Sequence, residues 1–540
     1  MLSRKEKQEY RGVLFRHLDG IGVAPTAFAL HEKGLLRYLL DKKEIALQEL
    51  VANFKANEGY LNVALRILCS QGWLIQHLDN EHDLIEYSLS DLSEIAFNHV
   101  HLYADVVHLL KFSERFHPRK FEIEPFRVLA RIFEKYQNNY DVPFSPDEKT
   151  NRVQRQILRH IEGIIVGPTI VHLGMGGMFH KYFMEASFRP EEFHRDPESF
   201  DRLLSFFAHL GWFNKKNGTY QFTDKGLFFA KRASAYGVTV SYIPTFRKLD
   251  DLIFGDATIL KNVKKGEPEK HVDREMNVWG SGGAHSGYFK VIDEIVVELF
   301  NRPIDEQPKG ILDMGCGNGA FLQHLFEVID GQTERGKMLE EHPLFLVGVD
   351  YNDAALRVTR ANLIKADIWA KVIWGDIGRP DRLADKLMND YGIALEDLLN
   401  VRTFLDHNRR WQSPQVRDPA RISKSTGAFA CEGARLNNNL VEDNLLEHFR
   451  NWQPFVIRFG LLVIELHTLP PALTARHLGK TAATAYDATH GYSDQYIVEM
   501  GVFNRIAAEA GLYPDQNVFR KFPDSDLATV TINLLKPQRN

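Results

Sequence analysis

Apolar residues recur through the first half of the chain at three- and four-residue intervals. Leu61, Ala64, Leu65 and Leu68 share one predicted helical face, as do Phe200, Leu203, Leu204 and Phe207. Each predicted helix is followed by a short strand, a polar turn and a second strand, which is the order of a winged-helix unit. The correspondence extends outward on both sides. His17-Leu18-Asp19-Gly20 and Pro25-Thr26 match His160-Ile161-Glu162-Gly163 and Pro168-Thr169, and Gly72-Trp73-Leu74 before Tyr87 to Asp91 matches Gly211-Trp212-Phe213 before Tyr220 to Asp224. This internal repeat predicts two mostly helical, winged-helix-like modules, at 1–115 and 116–260. The stretches that would serve as recognition helices carry only Arg66 and Arg202 as cations, so packing, dimerisation or covering a substrate pocket suits them better than reading DNA.

After a linker rich in Lys, Glu and Pro (Lys261 to Lys270), the pattern changes. From Gly310 onward short apolar runs alternate with helical spacing, which predicts an α/β domain with a doubly wound sheet at 291–540. Ile311 to Met314 reads as a strand, Gly315-Cys316-Gly317-Asn318-Gly319 as a turn, and Ala320 to Ile329 as a helix. A second strand, Leu344 to Val349, ends in Asp350, and a third, Ala370 to Gly375, ends in Asp376. Glycines let a backbone approach a bound nucleoside, and ligands of such sheets lie at the carboxyl ends of the strands. Asp350 is placed to accept hydrogen bonds from ribose hydroxyls and Asp376 from an adenine amino group. Asp313, or a water it holds, would face a cationic methionine end. The glycines run G-x-G-x-G and not G-x-G-x-x-G, so the turn that seats a pyrophosphate is missing, which favours S-adenosylmethionine (SAM) over a nicotinamide dinucleotide. Tyr351 and Ile377 beside the two strand-end acids join Gly315, Gly317 and Gly319 as candidate cofactor contacts. So do Gly280 and Phe289 in the Gly-rich approach Asn277 to Phe289, which would either close over the cofactor or act as a hinge.

Composition sets outer bounds on these readings. A chain of 540 residues, 44% apolar and 25% charged, is long enough for several domains and ordinary for globular protein. A net charge of -5 supplies no broad basic field, so nucleic acid is not an expected partner. Cys69, Cys316 and Cys431 form neither a disulfide framework nor a Cys-rich zinc motif. The charged N-terminus lacks a signal-peptide core, and the longest aliphatic runs, such as Gly460 to Leu466, are strand-sized, so no membrane association is expected and a cytoplasmic location fits best.

The glycine loop, the two strand-end acids and a C-terminal strand pair (Asn517 to Phe522, Ala528 to Leu535) resemble the class I SAM-dependent methyltransferase family. That resemblance implies a seven-stranded sheet ending in an antiparallel strand. The helical front half is similar in layout to the module that precedes the catalytic domain of small-molecule O-methyltransferases.

Unusual polar residues gather at the remaining predicted strand ends. The fourth strand, Val401 to Leu405, runs into Asp406-His407-Asn408, and the fifth, Leu461 to Glu465, into Leu466-His467. Thr489-His490 and Ser493-Asp494-Gln495 precede a predicted helix, Tyr496 to Ala510. Two imidazoles and a carboxamide suit an octahedral Fe or Mn better than a structural zinc site. His407, His490 and Gln495 are the candidate ligands, with Asp406 or His467 as orienting groups or substitutes. On the residues alone a strand-end histidine is more often a hydrogen-bonded structural residue or a plain general base, and it is the family resemblance of the surrounding segments that favours ligation. Tyr288, His407, His467 and Glu465 are candidate proton acceptors.

The segments Phe404 to Asn408, Thr426 to Ala430, Leu462 to Thr468, His490 to Gln495 and Met276 to Gly283 resemble the metal-dependent C-methyltransferase domains of polyketide synthase loading modules of the apratoxin and saxitoxin type. The resemblance implies methylation at the alpha carbon of a malonyl or methylmalonyl thioester on an acyl carrier protein, with one Fe or Mn ion stabilising the enolate as a Lewis acid. The predicted insertion 409–439 carries Arg409, Arg410, Arg417, Arg421, Lys424 and Arg435. Such a run is ordinarily a solvated face, and its functional use would be as a landing site for an anionic phosphopantetheine arm or an acidic carrier protein. The sequence ends shortly after its last predicted strand, so the expected carrier is a separate protein unless the chain is an excised domain. Two other functions stay open: a metal-free O-methyltransferase using His407 or His467 as base, and a SAM-sensing winged-helix regulator. A homodimer is compatible with either.

Overall fold

The computed structural model describes residues 2–261, 267 and 269–537, with the side chains of 283–286 left aside. Part of the predicted linker, 262–266 and 268, thus lies outside the described residues. Two compact units divide the chain. The first comprises Met1–Ala284, Ala430–Arg435 and Pro470–Asp494, and the second His285–Phe429, Leu436–Leu469 and Gln495–Asn540. The predicted catalytic stretch therefore lends two segments to the first unit. Their contacts there explain it: Gly59 N–H donates to the Gly433 carbonyl, and Gly22 packs against Ala488 so closely that a Cβ would come within 2.7 Å.

The first unit is organised by helices α1 (Arg4–Glu32) and α2 (Glu148–Met175), the long helices of the two repeats. They cross at glycines. A Cβ on Gly20 would stand 2.3 Å from the His160 Cα, and one on Gly163 would stand 2.6 Å from the His17 Cα. Each helix contains a proline, Pro25 or Pro168, followed by a threonine whose hydroxyl donates to the carbonyl four residues back, at 2.8 Å for Thr26 and 2.7 Å for Thr169. The first module adds the helix Glu58–Ser70, the hairpin Leu74–Asp79 with Leu84–Leu89, and a third strand, Glu44–Ala46. The second adds the helix Pro197–His209 and the hairpin Phe213–Lys216 with Thr219–Phe222. Gly72 and Gly211 end equivalent helices with φ of 76° and 79°, a conformation costly for other residues. In the first module the candidate recognition helix is buried, and Arg66 pairs with Asp487 at 3.1 Å.

Helix α3 (Arg274–Phe300) replaces the predicted Gly-rich loop of 277–289. The reason is packing: at Gly280 a Cβ would meet the Gly237 Cα at 2.6 Å, so glycine permits a close backbone approach that offsets its low helix propensity.

The second unit is a sheet with strands β1 (Gly310–Met314), β2 (Phe345–Asp350), β3 (Lys371–Trp374), β4 (Leu398–Thr403), β5 (Leu461–Leu466), β6 (Tyr513–Pro514), β7 (Arg520–Phe522) and β8 (Val530–Lys536). Its order is β6-β8-β5-β4-β1-β2-β3, with β7 also on β8. Strands β1 to β5 are mutually parallel where paired, and β8 is antiparallel to β5, β6 and β7. Eight strands appear where seven were expected because one strand position is broken into β6 and β7. Strands β1 and β5 are buried along their whole length, as continuous apolar runs in a parallel sheet must be. Leu312, Val347 and Val463 from the sheet pack with Phe449 and Trp452 of helix α4 (Asn438–Val456) and Ile506 of helix α5 (Met500–Glu509). Helix α5 begins at Met500 and not at the predicted Tyr496. No helix among the described residues is long and apolar enough to cross a membrane.

Candidate functional site

The carboxyl end of β1 opens into the glycine loop. Gly315, Gly317 and Gly319 have φ of 81°, 57° and 80°, where a side chain is strained. The loop is pinned by its own backbone, with Gly315 and Cys316 N–H donating to the Val349 carbonyl at 2.7 and 3.0 Å. Thr359 and Asn362 donate to the carbonyls of Gly317 and Asn318 at 2.9 Å each. Asp350 accepts from Gly317 N–H at 3.0 Å and from Asn352 N–H at 2.8 Å, so the expected ribose acid is already oriented toward the loop. Asp313 is 2% exposed, and burial aided by the charge of Asp350 pushes its carboxyl up to about 7. Asp376 is half-buried, accepting from Gly378 N–H at 2.8 Å.

The other expected cofactor contacts divide. Tyr351 is half exposed at the rim, its ring centroid 5.4 Å from that of Trp374. Phe289 of α3 stacks on His324, with centroids 4.9 Å apart. Ile377 is instead part of the apolar core, its carbonyl accepting from the Trp452 indole at 2.7 Å. Gly280 packs at its crossing with Gly237 in the first unit.

Beyond the glycine loop, the turn after β4 carries the candidate metal and catalytic residues. Leu405 lies against the loop, since a Cβ on Gly315 would come within 2.9 Å of its side chain. Asp406 and His407 are buried, and a side-chain network holds both. Glu465, at the end of β5, accepts from His407 Nδ1, from Asp406 N–H at 2.9 Å and from Leu466 N–H at 2.8 Å. Any ligation by His407 therefore goes through Nε2, with Glu465 as the carboxylate that fixes its ring. Asp406 pairs with the buried guanidinium of Arg402 and accepts from His448 at 2.8 Å. Burial alone would raise its carboxyl; Arg402 and His448 hold it well below the usual range. Arg402 in turn stacks 4.0 Å over Trp452. Arg409 donates to the Asp406 carbonyl at 2.8 Å and to Asn444 at 2.6 Å. A small cavity lies here, with Asp406, His407, Arg409, Glu465 and Tyr496 in its wall.

Of the remaining expected site residues, Gln495 is buried, and the next residue, Tyr496, donates its N–H to the His407 carbonyl at 2.8 Å. His490 belongs to the first unit, on the helix Ala483–Gly491, where its Nδ1 lies 2.9 Å from the Tyr486 carbonyl. Among the described residues no three His, Cys, Asp or Glu side chains are grouped to hold a metal ion. His467 is fully buried, with Nδ1 3.3 Å from the Val498 carbonyl and Nε2 2.7 Å from the Thr531 hydroxyl, and burial lowers it to about 3. Both nitrogens are engaged, so it is a neutral structural imidazole and a poor proton acceptor. Tyr288 packs its ring 5.0 Å from that of Phe522, and burial raises its phenol, which disfavours the phenolate a base requires.

Half of the expected basic landing strip is committed to buried or inter-residue pairs. Arg421 pairs with Asp443 and Glu509, Arg435 with Glu58 and Asp83 in the first unit, and Arg409 as above, which leaves Arg410, Arg417 and Lys424 exposed. Sequence reasoning missed Arg402 and His448. The signal was present, because a charged residue within a central parallel strand needs a buried partner.

A doubly wound sheet whose glycine loop and strand-end acids line one rim defines a SAM-dependent methyltransferase. Three family models match this chain: the AprA MT2-like domain at 269–533, the AprA winged helix domain at 162–256 and the AprA N-terminal domain at 10–76. The chain is a methyltransferase of the AprA type. No curated protein matches it. Among solved structures it is similar to the mitomycin 7-O-methyltransferase MmcR, at 11% identity over 72% of this chain and 98% of that one, with a TM-score of 0.40. It is also similar to LepI in complex with SAM, at 12% identity over 82% and 100% and a TM-score of 0.38. For the DszA carbon methyltransferase the figures are 10%, 80%, 93% and 0.28.

Proposed function

We propose that this methyltransferase transfers the SAM methyl group to the alpha carbon of a malonyl or methylmalonyl thioester on an acyl carrier protein. The observation that carries the reading is the juxtaposition of two loops: the turn bearing His407 lies against the glycine loop at Gly315, and Glu465 holds the His407 ring through Nδ1. An acceptor group held at that turn would stand beside the methyl donor. An imidazole and a carboxamide are donors that would suit one Fe or Mn ion, and His407 and Gln495 of the second unit are the ligands on which this part of the proposal rests. When bound, such an ion would supply Lewis acidity to the two malonyl oxygens of the enolate.

The protein's own residues do the rest. Glu465 accepts three hydrogen bonds, which fix its side chain and so orient the His407 ring. Asp406, locked by Arg402 and His448, keeps the turn from moving when substrate arrives.

The same His407–Glu465 pair favours a second reading, in which His407 is the general base of a metal-free O-methyltransferase. Intact-mass measurement of malonyl-loaded carrier protein, incubated with enzyme and SAM and with added iron or manganese, separates the two. The C-methylation reading expects a gain of one or two methyl masses that chelator abolishes, together with metal in the purified enzyme. Methyl transfer to a hydroxyl that persists in chelator would replace it with the second reading.

A further inference from the structure

Arg410 stands apart from the other cations of the 409–429 segment. Arg409 and Arg421 are buried and anchor the segment to α4 and α5 through Asn444, Asp443 and Glu509. Gln415 N–H adds a further tie, to Glu447 at 2.7 Å. Arg410 turns the other way. Its Nη1 donates to the Tyr351 hydroxyl at 2.5 Å, and its guanidinium carbon lies 5.1 Å over the Tyr351 ring. Tyr351 is itself braced, because the Trp374 indole donates to its carbonyl at 3.0 Å and the two rings pack together. The three side chains form an exposed stack from the loop after β4, across the end of β2, to the end of β3.

The position of that stack is what gives it a use. Tyr351 follows Asp350, the acid that binds Gly317 of the cofactor loop, and Trp374 lies two residues before Asp376. Ribose and adenine of SAM are therefore expected along the same edge. A planar guanidinium is suited both to a hydrogen bond and to stacking on an aromatic face, and each contact is stronger where water is excluded. Left in water, an exposed stack of this kind is worth little. Covered on one side by a nucleoside, it gains.

We propose that Arg410 is a positioning residue which latches the 409–429 segment over the adenosine end of SAM by way of Tyr351. Because Arg410 lies three residues beyond His407, cofactor binding would also steady the segment that continues from the His407 turn. This inference rests on SAM occupying the carboxyl rim of β1 to β3, and not on the choice between carbon and oxygen acceptors.

The test uses S-adenosylhomocysteine with the full chain, without metal or acceptor, so its failure is distinct from failure of the proposed reaction. Calorimetric titration of Arg410→Ala should show affinity about tenfold weaker than the parent, the order of one hydrogen bond to a charged group. Arg410→Lys, which keeps a cation over the ring but loses the planar fork, should recover part of that loss. Limited proteolysis within 409–429 should be slowed by the ligand in the parent and unaffected by it in Arg410→Ala. Melting without ligand reports any merely structural role. Parent-like affinity and ligand protection in Arg410→Ala would overturn the proposal, whether or not its melting temperature falls.

Discussion

The two halves of the catalytic rim are built from different materials. On the cofactor side, at β1 and β2, the backbone does the work: three left-handed glycines, amides pinned to neighbouring carbonyls, and one acid, Asp350, bonded to the loop. On the proposed acceptor side, at β4 and β5, Phe404 takes a left-handed backbone, with φ of 54°, but it is the side chains that interlock, from Arg402 through Asp406 and His448 and from Glu465 to His407. A backbone site tolerates few changes in shape but needs few charges. A side-chain site has its charges buried, so each depends on its partner, and removing one leaves another stranded.

The largest effect should come from breaking the acceptor side. Asp406→Asn leaves the Arg402 guanidinium buried without its anion, which costs about 3–5 kcal/mol. Urea unfolding should show the loss in the midpoint, whereas an equal loss in Asp397→Asn, an exposed-side pairing with Lys309 and Arg458, would erase the contrast between buried and surface ion pairs. On the cofactor side, Gly315→Ala and Gly317→Ala both pay the left-handed penalty of about 1–2 kcal/mol. Only the first also drives a methyl into Leu405, while the second opens toward space. SAM affinity and His407-dependent turnover should both fall in Gly315→Ala; a selective loss of SAM affinity alone would show that the two loops are independent.

A smaller effect tests the charge of the cofactor side. Asp313 keeps its proton in the folded protein up to about pH 7, whereas the unfolded chain releases it near pH 4. The folded state thus binds more protons between these values, and stability without cofactor should decline as pH rises from about 4 to 7. A cationic SAM favours the carboxylate, so SAM affinity should rise through the same window and proton release should accompany binding. Calorimetry in buffers of different ionisation heat measures that release, and Asp350→Asn, which removes the repelling charge, should move the midpoint downward.

This contrast in materials also explains what was legible in the sequence. Gly315, Gly317, Gly319, Asp350 and Asp376 are local signals, each tied to a strand end a few residues away, and the sheet order follows from such signals. The Arg402–Asp406–His448 network joins residues up to 46 positions apart, and no short window contains it. The helix through Gly280 was hidden for a related reason: glycine reads as a loop until Gly237, from another helix, supplies the surface that makes its bare Cα useful. His467 shows the converse error. A histidine at a strand end looks reactive in sequence, but Thr531 and Val498 consume both nitrogens.

The crossing of α1 and α2 has a consequence for the first unit. His17 meets Gly163 while Gly20 meets His160, so each contact recurs with its partners exchanged. Reciprocity of that kind defines an isologous interface, the surface by which two identical chains form a symmetric dimer. Here it is enclosed within one polypeptide. His17 binds Tyr236 at 2.8 Å and His160 binds Tyr103 at 2.7 Å, which keeps the symmetry. The acids have diverged: Glu162 reaches within 3.1 Å of His17, while Asp19, one methylene shorter, is held protonated by burial to about pH 8. A substitution at one half of this axis therefore has a natural control at the other, inside the same molecule.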